Sequence, residues 1–157
     1  GSTEEGFFAA LRSAGAEVLV DVRARRGVRG SQYAFVNSTR LQQHLRELGI
    51  DYLHLKELAP TERVRASQRE ADVRAGLAKR DRERLSPAFI SAYRAEVLDR
   101  VDLAQLIQQH GLVEKSMVFL CVEGPPQACH RSLVADEVAR ILGTGVEHLN
   151  RGSSHHR

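Results

Sequence analysis

The residues best suited to chemistry lie in two short stretches. Cys121-Val122-Glu123 is followed, eight residues after its first cysteine, by Cys129-His130-Arg131, so two thiols, a carboxylate, an imidazole and a guanidinium are close in the chain. Asp21-Val22-Arg23 runs into the most basic loop of the sequence, which holds Arg25, Arg26 and Arg29. A thiol at the start of a helix ionises more easily. The helix dipole supplies only about 0.3–1 kcal/mol, less than one pKa unit at about 1.36 kcal/mol per unit, so strong activation needs Arg131, Arg23 or His130 nearby. These types fit an enzyme in which Arg23, Arg29 and Arg131 hold an anionic group and Asp21 pairs with Arg23 in the substrate site to orient it. Cys121 or Cys129 would be the reactive thiol, and Glu123 and His130 would move protons.

Each residue also has a structural reading. Cysteine is among the most often buried residues, Asp21 and Arg23 can form an ion pair that ties a strand end to a loop, and Glu123 can hold Arg131. Phosphatase-type thiol chemistry needs an arginine six residues after the nucleophile, where this chain has Gln127 and Ala135. Zinc is disfavoured because Cys129 and His130, adjacent on a helix, point apart and no second Cys/His pair exists. No metal and no cofactor is expected. His54 and His148 read as hydrogen-bonded structural histidines.

The hydrophobic pattern predicts the elements that position these groups. Phe7, Phe8 and Leu11 have helical spacing and Gly15 ends their pattern; Val18 to Val22 is an apolar run suited to a doubly covered strand. Residues 23 to 38 read as a loop. Leu41, Leu45 and Leu48 form a helical stripe stopped by Gly49, and Ile50 to Leu55 alternates as a second strand. From Ala59 to about Leu85 charges dominate and only Val64, Val73 and Leu77 are apolar, which predicts a lid-like segment covering little core. Ser86-Pro87 opens a helix with Phe89, Ile90, Tyr93 and Val97 inward, and Asp102 caps a shorter one. Met117 to Val122 is a third strand, residues 129 to 142 a helix, and Val146 to Leu149 a short fourth strand. Alternating strands and helices predict an α/β three-layer sandwich with a mostly parallel four-stranded sheet, order 2-1-3-4, and helices on both faces. Strands one and three are then central neighbours, and a ligand crevice lies outside their carboxyl ends, where both motifs sit.

Val20-Asp21-Val22-Arg23, Arg29, Phe35, Gly49-Ile50-Asp51-Tyr52, Cys121-Val122-Glu123, Cys129-His130-Arg131 and Val146-Glu147-His148 together resemble the domain of unknown function 488, over nearly the whole chain. The resemblance implies the fold and the place of the site and leaves the reaction open. The sequence departs from that pattern at Arg26 and Val28, where relatives carry proline and serine, and at Leu58-Ala59, where they carry Leu-Gly. Relatives also begin with a strand ending in Gly-His-Ser, and this sequence starts just after it, behind a Gly1-Ser2 that reads as an expression scar.

Composition narrows the function classes. The chain has 157 residues, 42% hydrophobic and 27% charged, with formal net charge +3, so residues 1–150 are expected to form one domain and 151–157 a disordered Gly-Ser-His tail. No stretch reaches the roughly 18 apolar residues of a membrane span and no signal peptide is present, which predicts a cytoplasmic protein. Twenty arginines stand against three lysines, but +3 is too weak to argue for nucleic acid. The expected partner is a small anionic substrate, phosphorylated or nucleotide-like. A non-catalytic nucleic-acid-binding module built on Arg23, Arg25, Arg26 and Arg29 is one alternative, and a thiol redox sensor pairing Cys121 with Cys129 is another. The low aromatic content argues against stacking on single strands.

Overall fold

Val18-Leu19-Val20-Asp21 forms β1 (Val18–Asp21), and all four residues are buried. An apolar run without polar alternation needs cover on both faces, which a central parallel strand receives. In the computed structural model, which describes residues 4–23, 38–76, 85–120 and 130–143, β1 has that position. It lies between β2 (Asp51–His54) and β3 (Met117–Leu120), and both neighbours are parallel to it. Val18 pairs with Asp51 on one side and with Met117 on the other.

The order β2-β1-β3 agrees with the sequence expectation for the first three strands. The described sheet has three strands rather than four; Val146 to Leu149, the expected fourth, lies outside the described residues, as do the tail 151–157 and the loop 24–37.

Side chains alternate across the sheet and divide the core in two. Leu19 and Leu120 face α1 (Glu4–Ser13) and α2 (Ser38–Leu48), where they pack with Phe7, Phe8, Leu11, Leu41 and Leu45. Val18, Val20 and Val22 face the opposite layer of α4 (Pro87–Tyr93), α5 (Leu103–Gln109) and α6 (Arg131–Leu142), meeting Phe89, Tyr93, Leu103, Ile107 and Val134. The result is the layered α/β arrangement that the periodicity predicts. Gly49 ends α2 as expected: its φ of 72° lies in the left-handed region, and the turn lets Ile50 N donate to Leu45 O at 2.9 Å.

The charged middle of the chain, where described, is helical and, as its pattern predicts, adds little apolar surface to the core. Residues 62–75 form the 14-residue helix α3 (Glu62–Ala75), capped by Thr61, whose side-chain oxygen accepts from Val64 N at 3.2 Å. The helix packs beside α4. Its inward face mixes one apolar residue, Val64, with the buried polar residues Gln68 and Asp72, whereas Val73 is 79% exposed. Gln68 Nε2 donates to Asp72 Oδ1 at 2.8 Å, and Gln68 Oε1 accepts from Ser86 N at 2.9 Å. An amide that satisfies both a carboxylate and the N-cap of the next helix replaces apolar periodicity as the docking device, so hydrophobic pattern alone undervalues α3.

After Tyr93 the fourth helix widens into a π turn over Arg94–Leu98, in which Asp99 N donates to Arg94 O at 2.8 Å. Tyr93 sits at the junction with no exposure; its hydroxyl donates to Leu58 O at 2.5 Å.

Replacing Gln68 with alanine would leave Ser86 N–H without its acceptor and Asp72 without its amide donor. The expected cost is about 1–3 kcal/mol, read as a lower urea midpoint with an unchanged m-value.

Candidate functional site

At the carboxyl end of β1 the buried strand carries a full charge. Asp21 has no solvent exposure and Arg23 has 5%. Leaving a carboxylate in such a place is costly unless every lone pair is occupied, and here the donors are in place. Oδ1 accepts from Arg23 N at 3.1 Å and from Arg23 Nε at 2.8 Å. Oδ2 accepts from Arg23 Nη2 and from the Tyr52 hydroxyl, both at 2.7 Å. Burial pushes the Asp21 carboxyl up, but the hydrogen bonds from Arg23 and Tyr52 and the Arg23 charge outweigh it and hold it below the ordinary carboxylate value. With its acceptor capacity filled, Asp21 acts as the anchor of Arg23.

The guanidinium is left with an unused end. Side-on pairing consumes Nε and one edge of Nη2, while Nη1 is buried and has no hydrogen-bond partner among the described residues. An unpaired N–H on a buried cation carries a desolvation penalty that an oxyanion would relieve.

The end of the second stretch, His130-Arg131, reaches the same place. His130 immediately precedes α6 and is 3% exposed; its Nε2 lies 3.0 Å from Val22 O, which ties the start of the helix to the residue before Arg23. The His130 ring packs against Tyr93 at a centroid distance of 5.6 Å. Arg131 follows as the first residue of α6 and is itself buried at 8% exposure. The first turn of α6 contains no acidic residue, so the positive end of the helix dipole is not offset by its own side chains.

Of the sequence-derived candidates, Asp21, Arg23, His130 and Arg131 are described; Asp21 and Arg23 pair directly, and His130 meets the backbone between them at Val22 O. Arg29, Cys121, Glu123 and Cys129 lie outside the described residues; Cys121 is the next residue in the chain after Leu120, which ends β3. Among the described residues no group of three His, Cys, Asp or Glu side chains is placed to hold a metal ion, and no helix is long and apolar enough to cross a membrane. Tyr52 is the participant that spacing did not assign. The usable signal is its strand register: Tyr52 pairs with Leu19 and His54 with Asp21, so both side chains fall on the Asp21 face. His54 is hydrogen-bonded as expected, with Nε2 at 2.8 Å from Arg23 O.

Changing Asp21 to asparagine strands the Arg23 charge, with an expected loss of about 3–5 kcal/mol in denaturant unfolding. Because the folded carboxyl titrates below its unfolded value of about 3.9, its stabilising contribution is complete above that value. It disappears as the pH falls through the lower folded value. Acid titration of Tyr52→Phe, which lacks one donor to Oδ2, should lose native signal at a higher pH than the wild type.

No curated protein and no solved structure matches the chain at a significant level. The domain of unknown function DUF488 matches residues 3–138. That span covers every described element through most of α6, and with it the stretches Asp21-Val22-Arg23 and Cys121 to Arg131 of the sequence. The chain belongs to the DUF488 family.

Proposed function

We propose that the protein binds a small anionic ligand, phosphorylated or nucleotide-like, outside the carboxyl ends of β1 and β3, and that the site is that of an enzyme. The single observation that carries the reading is Arg23 Nη1, a buried cationic donor with no partner among the described residues, at the strand end that α6 also reaches. Arg23 is the fixed recognition group, since Asp21 holds it side-on and leaves its far edge for two oxygens of a phosphoryl or carboxylate group. Arg131 and the positive end of α6 add charge on the β3 side. Asp21 neutralises Arg23, so the site recognises an anion by directed hydrogen bonds more than by net charge.

The reactive part of the reading rests on chain position. Cys121 and Glu123 follow β3 directly, Cys129 and His130 lead into α6, and Arg29 belongs to the loop that leaves β1. A thiol at this edge would act on the group that Arg23 holds, in a hydrolysis or a group transfer.

Thermal-shift titration with phosphate, sulfate and nucleoside monophosphates tests the ligand. Binding raises the melting temperature with dose, by about 2.7 kcal/mol of stability at one hundred times Kd. The paired change Asp21→Asn with Arg23→Gln, which removes both charges together, should abolish the response. If none of these anions stabilises the wild type, the reading is wrong. Tight binding of an oligonucleotide with a steep salt dependence, and none of free phosphate, would replace it with a nucleic-acid module.

A further inference from the structure

The backbone ladder of β1 ends one residue before Arg23, and side chains continue it. Leu55 N donates to Asp21 O at 2.9 Å and Val22 N donates to Leu120 O at 3.3 Å. The next two carbonyls along β1 are met by imidazoles. His130 Nε2 is 3.0 Å from Val22 O, and His54 Nε2 is 2.8 Å from Arg23 O. A carbonyl oxygen can only accept, so each ring must carry its hydrogen on Nε2. The two rings arrive from opposite neighbours, His54 from the end of β2 and His130 from the residue ahead of α6. Between them, Arg23 N is held by Asp21 Oδ1. Val22 O, Arg23 N and Arg23 O are therefore each held by a side chain, and the guanidinium is fixed again at its tip by Asp21.

We propose that His54 and His130 are positioning residues that clamp the peptide bearing Arg23 and so set the direction of its free Nη1 edge. This rests on the anion-binding reading of that edge. It gives His130 a task other than moving protons: its Nε2–H is a fixed donor to Val22 O. A fixed donor can be replaced by any side chain that puts an N–H in the same place, whereas a proton carrier cannot.

Glutamine places an amide N–H where Nε2–H stood and has no titrating proton, so His54→Gln and His130→Gln are compared with His54→Ala and His130→Ala. Inorganic phosphate is titrated into each folded variant and followed by the Arg23 Nε–H resonance. The alanine changes should weaken phosphate binding by about tenfold, and the glutamine changes by no more than about threefold. Glutamine variants as weak as the alanine variants overturn the proposal. If His130→Ala does not fold, the His54 pair and His130→Gln still decide it. Two measurements need no ligand. Ring nitrogen spectra should show the Nε2–H form, neutral or protonated, for both histidines, and hydrogen exchange at Arg23 Nε should accelerate in His54→Ala but not in His54→Gln. An Nδ1–H tautomer at either ring, or unchanged exchange in His54→Ala, overturns the clamp. If wild type binds no phosphate while both ligand-free results hold, the clamp stands and the anion reading falls.

Discussion

A carboxylate with no solvent exposure, on the middle strand of a parallel sheet, is the constraint around which the rest of the molecule is arranged. Asp21 remains charged only because four hydrogen bonds meet its two oxygens, three from Arg23 and one from Tyr52. That requirement fixes the chain's exit from β1 and the register of β2, since a slip of one residue would turn Tyr52 to the other face of the sheet. It also couples the two core layers. Leu19, on the Asp21 face, packs with α1 and α2, whereas Val20 and Val22 pack with the layer that includes α4 and α6. The charge thus sits where both layers end. A well-packed apolar pair at the same place could be equally stable, so the buried ion pair is not needed for stability alone.

The helices around this point are held by polar as well as apolar devices. Tyr93 stands at the start of the π turn, its hydroxyl on Leu58 O and its ring beside His130. It thereby joins the segment after β2 to the start of α6, beneath the site. Gln68 performs a similar task further out, joining α3 to the cap of α4. Such groups are specific in geometry and contribute little to hydrophobic patterning.

This explains what could be read in the sequence. Val18 to Val22, the Leu41-Leu45-Leu48 stripe and the Ser86-Pro87 start are strong local signals, because burial periodicity and capping chemistry are properties of short segments. They sufficed for the layers and for the order of three strands. Helix α3 adds little to the apolar core, as its pattern predicts, and Val73 is exposed; its docking side chains are an amide and a carboxylate, which hydrophobic periodicity does not reveal. Tyr52 was missed as a member of the site because its part depends on cross-strand register, a relation between segments far apart in sequence. The side-on geometry that leaves Nη1 unused is likewise invisible to residue spacing.

The pairing of β1 with both neighbours also governs when the site comes into being during folding. Val18 pairs with Asp51 and with Met117, so the strand that carries Asp21 is enclosed only after segments from the first and last thirds of the chain have met. Parallel pairings of such separation form slowly, because loop closure must precede the contacts that stabilise it. A nascent chain that has not yet emitted β3 can form the crossover through α2 but cannot bury Asp21. The candidate site is consequently among the last features to be completed, and an incompletely folded molecule exposes neither the charge pair nor its vacant edge in usable form.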